Sequence, residues 1–186
     1  VFFPVTVAAQ ITVDTTISAD TTSQQVLGAN NVTITNDANI NFTGSGAINI
    51  LTFTGVTITN NAGASINALG SGNDQAIDAS NSAVNNLTIN NSGTISANDN
   101  QAIRVNNDSN FTLTNNVGGS ITADRTAISI STGGGTITNS GTITTTGAGN
   151  AIRTATSIGL TITNNAGGVI SSTGTSGVIR LDQNNT

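Results

Sequence analysis

The chain has 186 residues and a formal net charge of −5; it contains no Cys, His, Trp, Tyr, Met, Lys or Glu, so its nine acids are all Asp and its four cations all Arg. That alphabet excludes disulfide scaffolds, Cys/His metal sites and mechanisms that need a His, Cys or Lys nucleophile or base. Thr (33), Asn (28), Ile (22), Gly (21) and Ser (18) supply 122 of the residues, and a charged fraction of 7% against the usual value of about 25% argues against an ordinary cytosolic globule.

The first ten residues, Val1-Phe2-Phe3-Pro4-Val5-Thr6-Val7-Ala8-Ala9-Gln10, are the most apolar stretch. Two readings stand. Val7-Ala8-Ala9 before Gln10 places small residues where signal peptidase wants them, although a positive leader region is missing. The alternative is a first strand or cap over the end of a core. A boundary is drawn near Gln10 on either reading, with one β-domain over residues 11–186.

Beyond that point the chain repeats itself. Six tetrads align: Thr33-Ile34-Thr35-Asn36, Thr57-Ile58-Thr59-Asn60, Thr88-Ile89-Asn90-Asn91, Thr112-Leu113-Thr114-Asn115, Thr136-Ile137-Thr138-Asn139 and Thr161-Ile162-Thr163-Asn164. Their central aliphatics are spaced by 24, 31, 24, 24 and 25 residues. A second column follows at Ile40, Ile66, Ile95, Ile121, Ile143 and Ile170, and a third at Ile48, Ile77, Ile103, Ile128, Ile152 and Ile179. Val13, Ile17 and Val26 read as a degenerate first copy, making about seven. A repeat of this period means a solenoid or array.

Within each copy apolar and polar residues alternate with period two, β-branched residues dominate, and Gly and Asn punctuate every segment, so the elements are short strands. No Asn-Gly dipeptide occurs to make tight hairpins. The expected fold is therefore all-β: a right-handed, single-stranded parallel β-helix of about seven triangular coils. Ile34, Ile58, Ile89, Leu113, Ile137 and Ile162 form one core column. Ile77, Ile103, Ile128, Ile152 and Ile179 form another. Continued alternation turns Asn36, Asn60, Asn91, Asn115, Asn139 and Asn164 inward as a structural asparagine ladder. Gly63, Gly93, Gly118, Gly141 and Gly167 are expected at positive-φ corners, and the 31-residue copy to carry a loop over residues 69–82.

Residues 91–97 (Asn-Ser-Gly-Thr-Ile-Ser-Ala), residues 136–144 (Thr-Ile-Thr-Asn-Ser-Gly-Thr-Ile-Thr) and Asn150-Ala151-Ile152 resemble the passenger repeats of bacterial autotransporters and related haemagglutinin-type surface proteins. The resemblance covers residues 31–186. It implies a secreted or surface-displayed β-helix used for adhesion, aggregation or spacing, and it concerns architecture rather than activity. The family's translocating barrel is not part of this sequence.

The remaining features qualify that picture. Four scattered Arg and five Phe as the only aromatics give neither a basic stripe nor a stacking platform, so nucleic acid is not an expected partner. No apolar run reaches membrane-span length. Asp78, Arg104, Ser129, Arg153 and Arg180 follow the third-column aliphatic in successive copies, with an ion pair expected between Asp78 and Arg104. Polar decoration of the surface is one reading of this stripe, and an anion-binding stripe around Arg153 and Arg180 the other. Asp74, Asp78, Asp99, Asp108 and Asp124 read as turn residues in different corners, and no catalytic, cofactor or metal site is expected. Paired threonines on the tetrads form a grid like that of ice-binding β-helices, interrupted at Asn90. Finally, Phe2, Phe3, Val5 and Val7 at one end, and Val178, Ile179 and Leu181 at the other, are the assembly surfaces if copies stack end to end. The expected partners are another copy, a host or neighbouring cell surface, or polysaccharide.

Overall fold

The computed structural model describes residues 8–81 and 84–182. Every regular element among them is a strand, and every pairing between strands is parallel. The chain winds as a β-solenoid in which each turn lays one short strand on each of three faces.

The first face carries the tetrads: Thr33–Asn36, Thr57–Asn60 and Thr88–Asn91, then the ends of the longer strands Asp108–Asn115, Thr126–Asn139 and Ile152–Asn164. The second is a separate six-stranded sheet of Asn39–Phe42, Ser65–Ala68, Thr94–Ala97, Ser120–Ala123, Thr142–Thr145 and Val169–Ser172. The third runs from Ala9–Ile11 and Gln25–Leu27 through Ile48–Asn49, Ile77–Ala79 and Gln101–Val105 to Ile179–Leu181. Thr126–Asn139 and Ile152–Asn164 run unbroken across the corner between the third and first faces. That continuity merges these two faces into one 13-stranded sheet.

The tetrads are in register residue for residue, Thr on Thr, aliphatic on aliphatic and Asn on Asn. The reason is the period-two side-chain alternation. A slip by one residue would turn every Ile outward and every Thr into the core. Ile34, Ile58, Ile89, Leu113 and Ile137 are fully buried, as are Ile77, Ile103, Ile128 and Ile152, while the last rungs, Ile162 and Ile179, are less covered. At roughly 1.5–3 kcal/mol for each buried aliphatic side chain, these columns are the main favourable term, offset by the entropy of ordering the backbone.

The solenoid has about six turns, not seven. The first stretch contributes Thr15–Ile17, shifted so that Ile17 pairs with Asn36, and a single bridge from Thr21 to Ile40. Its buried apolar residues are Ile11, Ile17 and Leu27, whereas Val13 is 68% exposed. Val26 faces outward in line with Asn49. The degenerate copy lacks a tetrad, so it cannot follow the register of the others.

The long copy also differs from expectation. Its seven extra residues over the following copy are spread over all three corners as two, three and two, so no single loop holds them. Distributing them this way lets each strand keep its register with the turns on either side.

Candidate functional site

The asparagine ladder is continuous. Asn36 Nδ2 donates to Asn60 Oδ1, Asn60 to Asn91, Asn91 to Asn115, Asn115 to Asn139 and Asn139 to Asn164, each at 2.8 Å. The amides of Asn36, Asn91, Asn115 and Asn139 also serve their own corner and the next, while Asn60 reaches only the next corner and Asn164 only its own. Asn115 Nδ2 reaches Gly119 O at 3.2 Å and Thr142 O at 3.1 Å, and Asn139 Nδ2 reaches Gly141 O and Val169 O, both at 3.1 Å. All donors point one way along the axis. The first acceptor, Asn36 Oδ1, is consequently buried without a partner, because Ile17 occupies the rung below it.

The corner after each ladder rung comes in two lengths. In the long form a turn closes from Ala64 N–H to Asn61 O at 3.1 Å, from Gly119 to Asn116 at 2.9 Å and from Gly168 to Asn165 at 2.9 Å. Its third residue is Gly63, Gly118 or Gly167, with φ of 84°, 83° and 85°, the left-handed geometry that glycine adopts freely. Gly93 and Gly141 do not share it. They stand in the short form, where a Cβ would lie 2.2 Å from the Ala64 or Gly119 carbonyl oxygen. Close stacking of corners, not a positive φ, demands glycine at these two positions.

Aspartates staple neighbouring turns. Asp14 Oδ1 accepts from Thr33 N–H at 2.7 Å, and Asp20 Oδ1 from Asn39 N–H at 2.9 Å. That backbone bond from Asn39 is the main cause holding the Asp20 carboxyl below its usual value. Asp108 is fully buried, and its two oxygens accept from the backbone N–H groups of Asn86, Leu87 and Asn110 at 2.8–2.9 Å. It stands against Asn86, whose φ is 56°, and so fixes a strained corner. Asp108→Ala is expected to cost about 2–3 kcal/mol, since buried N–H groups would lose their acceptor. Urea unfolding of the variant checks this; a loss below about 0.5 kcal/mol would show that water replaces the carboxylate.

On the first face the threonines form two rows, Thr33, Thr57, Thr88, Thr112, Thr136 and Thr161 beside Thr35, Thr59, Asn90, Thr114, Thr138 and Thr163. The grid is regular except at Asn90, midway along the shaft. The second face carries a polar row in which Asn67 Nδ2 donates to Asn41 Oδ1 at 2.8 Å and Ser96 Oγ to Asn67 Oδ1 at 2.6 Å.

The third face brings Asp78, Arg104, Ser129, Arg153 and Arg180 into one row, rung by rung. The expected Asp78–Arg104 ion pair does not form. The Asp78 carboxylate instead accepts from Ser80 N–H two residues on, at 3.0 Å. The ion pairs among the described residues converge on Asp182, which takes Arg180 Nε at 2.6 Å and Arg153 Nε at 3.2 Å. The Arg180 bond is the main cause lowering the Asp182 pKa.

Arg125 joins Arg153 and Arg180 along a groove of about 220 Å³ that crosses three turns. Sequence reasoning missed Arg125. It precedes the Ala127-Ile128 pair instead of following it, so only the path of the corner brings it alongside the other two. An inner column at Val32, Val56, Leu87 and Phe111 was also missed. Its signal was present, since one more step of alternation back from each tetrad reaches it.

Of the proposed assembly surfaces, Phe2, Phe3, Val5 and Val7 lie outside the described residues. Val178, Ile179 and Leu181 are 39%, 43% and 54% exposed.

Comparison with family models, curated proteins and solved structures gives no match.

Proposed function

We propose that this chain is a non-enzymatic, extracellular structural and adhesive element of a bacterial surface, a stiff β-helical shaft. The observation that carries the reading is the ladder from Asn36 to Asn164, which binds every complete turn to the next through a buried hydrogen-bonded column. Together with the aliphatic columns it makes a rod roughly 30 Å long at about 4.8 Å per turn. Its surface is dominated by Thr, Ser and Asn, a composition for presentation and spacing. The resemblance of residues 31–186 to autotransporter passengers supports the same reading.

The test is display of the chain on the outer surface of a non-adherent bacterium. The expected result is a protease-resistant shaft and several-fold more attachment or cell aggregation than an empty anchor gives. Attachment equal to that control would overturn the adhesive part, and rapid proteolysis would overturn the shaft.

A second reading rests on the last described turn. Its Ile179 and Leu181 present apolar surface and a strand edge that no other described strand pairs, onto which a further turn can stack, from the same chain or from another copy. A self-assembling filament would use the second route. Sizing and negative-stain imaging of the 186-residue chain separate the two, and a strictly monomeric particle at high concentration would remove the filament.

A further inference from the structure

We propose that the groove bounded by Arg125, Arg153 and Arg180 binds an acidic saccharide, its guanidinium groups gripping the ligand's carboxylate or sulfate. The inference stands apart from the shaft reading, because a rod need not have a ligand and a ligand groove does not require a rod.

Charge is the first argument. The chain carries −5 overall and four cations, yet three of those four line one groove. They come from three successive turns: Arg125 from the corner before Thr126–Asn139, Arg153 from Ile152–Asn164, and Arg180 from Ile179–Leu181 in register with Arg153. Strand spacing sets Arg153 and Arg180 about 4.8 Å apart at the backbone.

The arrangement is also oriented. Asp182 holds Arg153 and Arg180 by Nε alone. Each guanidinium has five N–H donors, and those on the terminal nitrogens make no hydrogen bond to another described residue, nor does any donor of the Arg125 side chain. Asp182 thus shows that this arginine pair binds a carboxylate, and it leaves the terminal nitrogens of both arginines for a second one. Arginine forks suit planar, two-oxygen anions.

The floor beneath them is built. Buried Asn150 donates to Ser176 O at 2.6 Å and Gly177 O at 2.8 Å, and Ser176 Oγ donates to Ala148 O at 2.6 Å, stapling the corners together. A Cβ at Gly149 would lie 1.2 Å from the Arg125 carbonyl oxygen, so that backbone contact seats Arg125 at a fixed height. Rigid support of this kind keeps donors in place before a ligand arrives.

The lining selects the ligand class. Thr126, Asn150 and Ser176 accompany the arginines, with no aromatic or large aliphatic side chain among the described lining residues. An apolar or aromatic ligand therefore gains nothing here. Nucleic acid is disfavoured because no aromatic side chain among the described lining residues offers a platform on which a base would stack. A saccharide with hydroxyls and one acid group per ring matches both the polar lining and the separated cations. At about 220 Å³ the groove is smaller than the 300 Å³ or more usual for a drug-sized ligand, so it takes about one sugar ring while a polymer continues outside.

Calorimetry with oligogalacturonate, a sulfated oligosaccharide and a neutral maltooligosaccharide tests the proposal, the two acidic probes distinguishing carboxylate from sulfate. At least one acidic probe should bind with a Kd near or below about 1 mM, weakening with salt, while the neutral one does not. Arg125→Gln should weaken binding roughly 3–10-fold, and R125Q/R153Q should abolish it with an unchanged circular-dichroism spectrum. Arg104→Gln, outside the groove, should bind as the parent does. Absence of binding by both acidic probes, equal binding of the neutral one, an undiminished affinity in R125Q/R153Q, or an equal loss in R104Q would each overturn it.

Discussion

Replacing Asn115 by alanine is expected to lower the stability of the shaft by about 2–3 kcal/mol, while the same change at Asn164 costs less than about 1 kcal/mol. Asn115 is a middle rung: it accepts from Asn91 and donates to Asn139, both at 2.8 Å, and also reaches the carbonyls of Gly119 and Thr142. Alanine leaves Asn139 Oδ1 without its donor in a site closed to water, and a buried polar atom without a partner bears its full desolvation cost. Asn164 is exposed, so water replaces what its truncation removes. Asn115→Asp should cost at least as much as the alanine, because a carboxylate can accept but not donate and a buried charge needs a partner. Urea unfolding of the three variants is the measurement. Equal losses at Asn115 and Asn164 would mean that the ladder follows the fold without stabilising it.

A larger effect is expected at Phe111. Its side chain is the largest of the fully buried ones among the described residues, and truncation to alanine should cost about 3–5 kcal/mol, the transfer loss plus a residual cavity. The inner column it belongs to runs Val32, Val56, Leu87, Phe111, Gly135 and Leu160. The rung above Phe111 therefore has no side chain, and after truncation two successive rungs would be empty. The gap cannot be filled from the other side. A Cβ on Gly135 would meet the Phe111 carbonyl oxygen at 1.9 Å, and its φ is 136°, so Gly135→Ala should add to the loss. Phe53, only partly buried against the core, serves as the comparison, and its truncation should cost clearly less. If thermal unfolding ranked Phe53→Ala as the more damaging, the inner column would not be the packing centre described.

The ladder, the aliphatic columns and the three-strand turn were all legible in the sequence for one reason. A parallel solenoid stacks each residue on its counterpart one repeat later, so sequence spacing translates directly into contact. Asn36 reaches Asn60 because they are one period apart. The logic weakens wherever the period does. The first copy has no tetrad, so its register could not be read, and Val13 lies outside the core. Corner glycines divide into two kinds that look alike in sequence, because the backbone at Gly63 and the crowding at Gly93 both depend on turn length. Asp78 and Arg104 are in register, yet register places only backbones. The carboxylate found a nearer donor at Ser80, just past the end of its own strand.

By itself, then, the sequence determined the repeat, the strand period and the identity of the buried columns, since these follow from alternation and spacing alone. The tertiary structure decided what depends on the path between strands: the number of complete turns, the division of the extra residues, and the meeting of Arg125 with Arg153 and Arg180. Corners are the physical cause of that division. A strand's side chains are placed by its own period, whereas a corner residue is placed by the turn geometry and by the corners stacked above and below it.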